Sequence, residues 1–190
     1  MIRAIIFDCF GVLTGDIWSE YVARLPQGQQ EPARALNRAH DAGIITFKEF
    51  LYEIRELSDI EPKVVEGIIG NDMQKNIPLF EFIEQLKLSY KIGLLSNIGS
   101  NWIRESFLNE DEQALFDDIA LSYELGFIKP NPKVFQLAAN RLGCEPSECV
   151  MVDDGPGNVA AAREVGMQAI EYRSFAQFKH DLENLISQSE

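Results

Sequence analysis

The sequence predicts an α/β fold built on a doubly wound parallel sheet, with a helical insertion after the first strand. Two observations indicate this fold class. Short apolar runs alternate with segments of helical periodicity, which is typical of parallel βαβ units. Residues 14–78, in contrast, show helical periodicity and no convincing strand, and they are too many for a plain connection.

Five apolar runs are the predicted strands. Three strong runs cover residues 2–7, 91–95 and 149–152, and two weaker runs cover residues 118–122 and 168–172. Ligand sites in a doubly wound sheet lie beyond the carboxyl ends of the strands. We therefore expect the polar residues that follow these strands to share one edge of the sheet. These residues are Asp8, Ser96, Asn97, Asp153 and Asp154.

Amphipathic helices are predicted between the strands, because apolar residues recur there at helical spacing. The two clearest apolar faces comprise Leu79, Phe82, Ile83 and Leu86, and Val134, Leu137, Ala138 and Leu142. A last helix over residues 175–186 is expected to close the sheet.

The insertion is predicted to be entirely helical. Its expected helices cover residues 18–25, 32–42, 46–57 and 62–70. Thr46 and Glu49 have the spacing of a capping box, which marks the start of the third helix. The predicted organisation is therefore an α/β core formed by residues 1–13 and 79–190, with an α-helical unit at residues 14–78.

The composition limits the classes of partner. The net charge of -13 argues against a nucleic acid or an anionic membrane as partner. No apolar run approaches the roughly 18 residues of a membrane span, and no secretory leader is expected. Cys9, Cys144 and Cys149 are too sparse for a disulfide framework, which favours the cytoplasm. His40 and His180 are far apart, which argues against a zinc site or a Ser-His-Asp site.

Acidic residues follow two of the strong strands. Asp8 follows the first strand, and the pair Asp153 and Asp154 follows the strand at residues 149–152. Three carboxylates in a partly dry cleft repel one another unless a cation lies among them. Oxygen ligands of this kind suit Mg²⁺. A pair of acids that only decorates a helix N-terminus is the alternative.

Two further segments are expected at the same edge. Ser96 and Asn97 place a hydroxyl and an amide at the end of another strand. Lys129 directly precedes a helix whose start is fixed by proline, so its side chain can be held towards a site that receives an anion.

In this order, the four segments resemble the motifs of the haloacid dehalogenase-like hydrolase superfamily over nearly the whole chain. The resemblance implies that Asp8 is the nucleophile and that Ser96, with Asn97 beside it, hydrogen-bonds the transferred group. It also implies that Lys129 neutralises the charge of nucleophile and phosphoryl group. Receiver domains have a similar set of residues, but their acidic pair comes early in the chain.

The resemblance further implies the metal site and the architecture. Mg²⁺ would be bound by Asp8, the backbone carbonyl of Phe10 and Asp154, with Asp153 as a direct or water-mediated partner. Asn158 completes the fourth motif and counts among the expected substrate-binding residues, with Ser96, Asn97 and Lys129. The core would be Rossmann-like, and the insertion would be the small helical cap of the superfamily.

Phe10 departs from the phosphatase pattern. Phosphatases of this superfamily carry a second acid there, which protonates the leaving group and then activates water. General acid–base catalysis contributes roughly 10² to 10⁴ in rate. Because the carbonyl of Phe10 remains, we expect metal binding and nucleophilic attack to survive, with proton transfer impaired.

Four functions are compatible with Phe10. The first is a Mg²⁺-dependent phosphatase that forms an aspartyl-phosphate on Asp8. It would act on a small ester such as a sugar phosphate, and best on a good leaving group such as that of a sugar 1-phosphate or an acyl phosphate, with water or a cap residue supplying the proton. The second is a 2-haloacid dehalogenase, which carries an aromatic residue at this position but fits the acidic pair badly. The others are a phosphonate hydrolase with a Schiff base on Lys48, and a catalytically impaired binding protein. The phosphatase is favoured, with a small phosphorylated molecule as its partner.

The end of a predicted cap helix is the candidate substrate-selecting segment. Arg34, Arg38, His40 and Asp41 lie there, just before a turn at Gly43. Such a turn can face the site, or it can be a solvated helix end.

Overall fold

The structure, a computed structural model, describes residues 1–58 and 74–187. Within these residues the fold contains one parallel sheet of five strands. The strands are β1 (Ala4–Phe7), β2 (Lys91–Ser96), β3 (Asp118–Leu121), β4 (Cys149–Asp153) and β5 (Gln168–Glu171). Their order is β3-β2-β1-β4-β5. The doubly wound α/β prediction is confirmed, and every strand begins and ends close to the predicted positions.

The helices flank this sheet or belong to the insertion. They are α1 (Ile17–Arg24), α2 (Gln27–Asp41), α3 (Phe47–Ser58), α4 (Ile77–Leu86), α5 (Glu110–Gln113), α6 (Ser122–Leu125), α7 (Pro132–Arg141), α8 (Pro156–Glu164) and α9 (Phe175–Ser187). A π-helical turn at Ile103–Phe107 and a 3₁₀ turn at Pro146–Glu148 connect them to the sheet. None of these helices has the length and apolar character needed to cross a membrane.

Two of the predicted cap helices are not observed as expected. Helix α2 begins at Gln27 and not at residue 32. Pro32 therefore does not start the helix but lies inside it, where it cannot donate a backbone hydrogen bond. The helix expected at residues 62–70 lies outside the described residues.

The sheet is buried on both faces, which explains why its strands read as continuous apolar runs. Side chains alternate between the faces. One face packs against α4 and α9, and its largest buried members are Ile5, Phe7, Leu79, Ile83 and Phe178. The other face packs against α7 and α8, with Ala4, Ile6, Phe135, Ala138 and Ala162.

The register of the sheet brings three strand ends together. Phe7 pairs with Leu94 of β2 and with Val152 of β4. Asp8 is therefore level with Asp153, and Ser96 ends the strand on its other side. The central position of β1 explains why polar residues from three chain segments meet at one edge.

Helices α1, α2 and α3 pack on a hydrophobic core of their own. This core contains Val22, Leu25, Ala33, Phe50, Leu51 and Ile54. The predicted capping box is confirmed at the start of α3. The backbone N–H of Thr46 donates to the Glu49 carboxylate at 2.7 Å, and the backbone N–H of Glu49 donates to the Thr46 hydroxyl at 3.2 Å. We propose that residues 14–78 form a cap distinct from the core of residues 1–13 and 79–190.

The C-terminal end of α2 is docked on the carboxyl edge of the sheet. The Ser122 hydroxyl donates to the backbone carbonyl of Asp41 at 2.6 Å and accepts from the backbone N–H of Ile98 at 2.9 Å. Gly99 permits a close approach there, because a Cβ at this position would lie 2.6 Å from the carbonyl oxygen of His40. These contacts fix the end of a cap helix beside the loop that follows β2.

Ser122→Ala is expected to destabilise the protein by about 1–3 kcal/mol. The substitution leaves the buried N–H of Ile98 and the carbonyl of Asp41 without this partner. Urea unfolding measures the effect. The matched control is Ser89→Ala at an exposed position, which is expected to change the free energy of unfolding by less than about 0.5 kcal/mol. Equal stability of the two variants would mean that the docking contact contributes nothing.

Candidate active site

A buried lysine joins two carboxylates at the centre of the carboxyl edge. The Nζ atom of Lys129 lies 2.7 Å from Oδ2 of Asp8 and 2.7 Å from Oδ2 of Asp153. Lys129 is 3% exposed and Asp153 is fully buried. The structure thus brings together the end of β1, the end of β4 and the segment before α7, as the sequence predicted.

Two asparagines hold this arrangement. The backbone N–H of Lys129 donates to Oδ1 of Asn97 at 2.8 Å, and Nδ2 of Asn97 donates to the carbonyl of Lys129 at 3.0 Å. Nδ2 of Asn158 donates to Oδ1 of Asp153 at 2.9 Å. Both amides were predicted to contact the substrate, but in the structure they engage the protein, so we propose that Asn97 and Asn158 are positioning residues.

The two carboxylates have different electrostatic environments. Burial raises the pKa of Asp8 well above its usual range, and Lys129 offsets only part of this effect. Burial acts in the same direction on Asp153, but there Lys129 and the donors from Asn158 and Gly155 prevail and lower the pKa. The two carboxylates in turn raise the pKa of Lys129, which therefore stays charged in spite of its burial. One charged lysine thus forms ion pairs with two buried acids.

A third acid adds to the negative charge. Carboxylate oxygens of Asp8, Asp153 and Asp154 all lie within 4.8 Å of one another. Burial, followed by the charge of Asp153, raises the pKa of Asp154 to about 6. Three carboxylates and one lysine leave an excess of negative charge that a divalent cation would neutralise. The donor set is oxygen only and includes an exposed member, which fits Mg²⁺.

The turn after β1 is shaped around the third acid. Gly11 has φ +78°, a left-handed conformation that favours glycine. A Cβ at Gly11 would collide with the carboxylate of Asp154. The glycine that follows Phe10 therefore makes room for the carboxylate that completes the acidic cluster.

The ring of Phe10 takes no part in the polar cluster. It is half-buried and stacks on Trp102, with 6.2 Å between the ring centroids. Trp102 thus packs against the aromatic residue that stands where the phosphatases carry the second acid. The role of the Phe10 carbonyl as a metal ligand stays a prediction.

Ser96 offers a hydroxyl that the protein does not use. The side chain is fully buried, and its Oγ has no hydrogen-bond partner among the described residues. An unsatisfied buried hydroxyl costs about 1–3 kcal/mol and calls for a partner. An oxygen of a bound anion beside Asp8 would provide one.

The candidate residues of the cap differ in their environments. Arg34 and Arg38 are exposed, and Arg38 pairs with Glu31 at 2.6 Å. His40 and Asp41 are buried where α2 meets the core. Lys48 is exposed on α3, which does not favour a Schiff base there. The turn at Gly43 was the signal for this end of the helix, but nothing in the sequence separates the buried pair from the exposed arginines.

The chain is similar to enzymes of known fold. A family model described as haloacid dehalogenase-like hydrolase matches residues 2–166. A D-ribitol-5-phosphate phosphatase of Bacteroides thetaiotaomicron is 26% identical over 98% of this chain and 100% of that protein. A HAD family enzyme of the same organism, solved in complex with magnesium and inorganic phosphate, matches with a TM-score of 0.71 at 22% identity, over 92% of this chain and 96% of that chain. A protein of Porphyromonas gingivalis, described as a predicted HAD-like family hydrolase, has a TM-score of 0.76 at 25% identity over 98% of each chain. The family match spans most of the chain and includes all four motifs, so the protein belongs to the haloacid dehalogenase-like hydrolases.

Proposed function

We propose that this protein is a Mg²⁺-dependent phosphatase that hydrolyses small phosphate monoesters through an aspartyl-phosphate on Asp8. The observation that carries the proposal is a three-carboxylate cluster together with two buried donors. Lys129 pairs with two of the carboxylates, and the unpartnered hydroxyl of Ser96 ends the strand next to Asp8. The carboxylates can bind a cation, and the donors can bind an anion. A phosphate monoester bound with Mg²⁺ supplies both the anion and the cation.

Asp8 is the nucleophile of the proposed mechanism. A carboxylate oxygen of Asp8 attacks phosphorus, the bond to the leaving oxygen breaks, and water then hydrolyses the aspartyl-phosphate. The Ser96 hydroxyl donates to a phosphoryl oxygen, and Lys129 balances the charge shared by Asp8 and the phosphoryl group. Mg²⁺, when held by Asp8, Asp153 and Asp154, supplies the positive charge that offsets the phosphoryl oxygens.

The hydrogen bonds around Asp8 suit this role. Its Oδ1 accepts from the backbone N–H of Cys9 at 2.7 Å, while its Oδ2 pairs with Lys129. The carboxylate is therefore fixed by two donors of the core. A fixed nucleophile loses little orientational freedom on attack.

A sugar or sugar-alcohol phosphate is the proposed substrate class, supported by the phosphatase relative that matches over the whole chain. We place the enzyme in the cytoplasm, because Cys9, Cys144 and Cys149 are all free and buried. A dehalogenase is disfavoured because a halide leaving group gives no role to the clustered acids at Asp153 and Asp154.

Metal removal tests the proposed function. Purified protein is assayed for phosphate release from sugar, sugar-alcohol, aryl and acyl phosphates with Mg²⁺, with excess EDTA, and after Mg²⁺ is restored. Halide release from 2-haloacids is measured in parallel. We expect phosphate release that disappears with EDTA and returns with Mg²⁺. Halide release that persists in EDTA would identify a dehalogenase instead, and the absence of both products would leave a binding protein.

A further inference from the structure

The proposed reaction lacks a proton donor within the first motif. Phe10 stands two residues after the nucleophile, and its ring stacks on Trp102. A sugar alkoxide is a poor leaving group, so its departure needs a proton. The donor therefore comes from outside the first motif, either from a water molecule or from a side chain of another segment.

Asp41 is a buried carboxyl at the junction of cap and core. It is 8% exposed, and its backbone carbonyl accepts from Ser122, which also binds the loop after β2. The side-chain Oδ2 accepts from Nδ2 of Asn37 at 2.8 Å. The Oδ1 atom makes no hydrogen bond with any residue in the described part of the chain, and its nearest cationic candidate, Nδ1 of His40, is 3.9 Å away. One oxygen is thus held, and the other is available.

A chain of hydrogen bonds connects the end of α2 to the active site. Ser122 joins the backbone carbonyl of Asp41 to the backbone N–H of Ile98, the residue that follows Asn97. Asn97 in turn accepts from the backbone N–H of Lys129. Asp41 therefore lies beside the loop that carries Ser96 and Asn97, and the charge of Lys129 lowers the pKa of its carboxyl against the effect of burial.

The position of Asp41 in its helix favours the neutral carboxyl. It is the last residue of α2, where the carbonyl ends of the helix disfavour a negative charge. Burial raises its pKa to about 7, although Lys129 and the Asn37 hydrogen bond oppose this. His40, the titratable neighbour on the same helix, has its pKa lowered by burial and stays uncharged near neutrality. At neutral pH a substantial fraction of Asp41 thus carries the proton that the reaction requires.

We propose that Asp41 is the catalytic general acid, which protonates the leaving oxygen as Asp8 attacks phosphorus. This inference rests on the phosphatase function proposed above. As the bond between phosphorus and the leaving oxygen breaks, the proton of Asp41 passes to that oxygen and the alcohol departs. The Asp41 carboxylate then takes a proton from the water that attacks the aspartyl-phosphate, which releases phosphate and restores both acids.

The other acids near the site are less suited to this role. Asp16 is half-buried and accepts from the backbone N–H of Ser19 at 3.0 Å as the N-cap of α1. Its carboxylate is therefore already engaged as the acceptor of a helix cap. Asp154 belongs to the acidic cluster that suits the cation. The assignment also places the leaving group of the substrate below the C-terminal end of α2.

The leaving-group dependence of Asp41→Asn tests the proposal. Wild type, Asp41→Asn and the matched control Asp16→Asn are assayed with Mg²⁺ on alkyl phosphates, including a sugar-alcohol phosphate, and on 4-nitrophenyl phosphate. We expect Asp41→Asn to lose roughly 10² to 10⁴ in kcat on alkyl phosphates and less than about tenfold on the aryl ester, whose leaving group departs without a proton. Asp16→Asn is expected to lower both rates equally or not at all, because asparagine is also a good N-cap.

A pH profile and a stability measurement give independent readouts. In wild type, kcat/KM for alkyl phosphates should fall above pH 7 as Asp41 loses its proton, and this limb should be absent in Asp41→Asn. Thermal unfolding should show that Asp41→Asn is at least as stable as wild type at neutral pH. An equal loss on all substrates, or a selective loss in Asp16→Asn alone, would overturn the assignment to Asp41. Activity retained by Asp8→Asn on the aryl ester would instead remove the phosphatase mechanism itself.

Discussion

Asp8→Asn is expected to abolish phosphate release, with a loss of about 10⁴-fold or more in kcat on every ester. The amide cannot form the aspartyl-phosphate, so aryl and alkyl phosphates should be affected alike. This uniform loss differs from the selective loss expected for a missing proton donor. Single-turnover assays with 4-nitrophenyl phosphate measure it at high enzyme concentration. A variant that retains a tenth of the wild-type rate would show that Asp8 does not attack phosphorus.

The same substitution is expected to leave the metal-free protein as stable as wild type or more stable. Burial raises the pKa of Asp8, so the charged carboxylate that pairs with Lys129 costs the folded protein stability that the unfolded chain does not lose. Stability from this group is present below the unfolded pKa and decreases as pH rises through the folded pKa. Asparagine removes that decrease, and Lys129 remains paired with Asp153. Thermal unfolding in EDTA across this pH range measures the difference. A variant that is less stable than wild type at neutral pH would contradict the burial argument.

The fold was predictable because its signals are local. Strands buried on both faces read as apolar runs, and the parallel arrangement alone brings their carboxyl ends to one edge. Asp8, Asp153 and Asp154 were therefore expected to converge before their distances were known. The start of α3 was predictable for the same reason, since Thr46 and Glu49 form their capping box within one turn.

The contacts that define the site could not be read from the sequence. Lys129 pairs with two acids that are distant from it in sequence, and its backbone is held by Asn97, which is also distant. The bond from Ser122 to Asp41 joins residues 81 positions apart. Such contacts arise from the packing of whole elements, and residue spacing carries no record of them. For this reason Asp41 appeared only as one of several polar residues at the end of a helix.

Lys129→Met is expected to destabilise the metal-free protein by about 3–5 kcal/mol at neutral pH. Methionine keeps the unbranched shape of the lysine but lacks its terminal amine, which leaves Asp8 and Asp153 facing each other in the interior without a cation. Urea unfolding in EDTA measures the effect. Lys48→Met is the matched control, because Lys48 is exposed on α3 and its change should cost less than about 0.5 kcal/mol.

The pH dependence of Lys129→Met separates lost charge from lost packing. In wild type the lysine helps to hold the pKa of Asp153 below its ordinary value. Without it, burial raises the pKa of both carboxyls in the folded state, so stability is lost as pH rises through those raised values. The deficit relative to wild type should therefore be largest at neutral pH and shrink as the solution is made more acidic. A deficit that is constant with pH would indicate a packing defect.

A double variant shows how the charges are shared. In Lys129→Met combined with Asp8→Asn, only Asp153 remains charged, and it keeps its donors from Asn158 and Gly155. This protein should be more stable than Lys129→Met alone, although it carries an additional substitution. Such non-additivity is expected where residues form one network. If the two substitutions add independently, Lys129 does not act as the shared counter-ion of Asp8 and Asp153. If the two substitutions compensate each other, Lys129 stabilises the two buried acids in the absence of the metal. The negative charge of the acidic cluster that Lys129 does not neutralise is then the charge that the cation would neutralise.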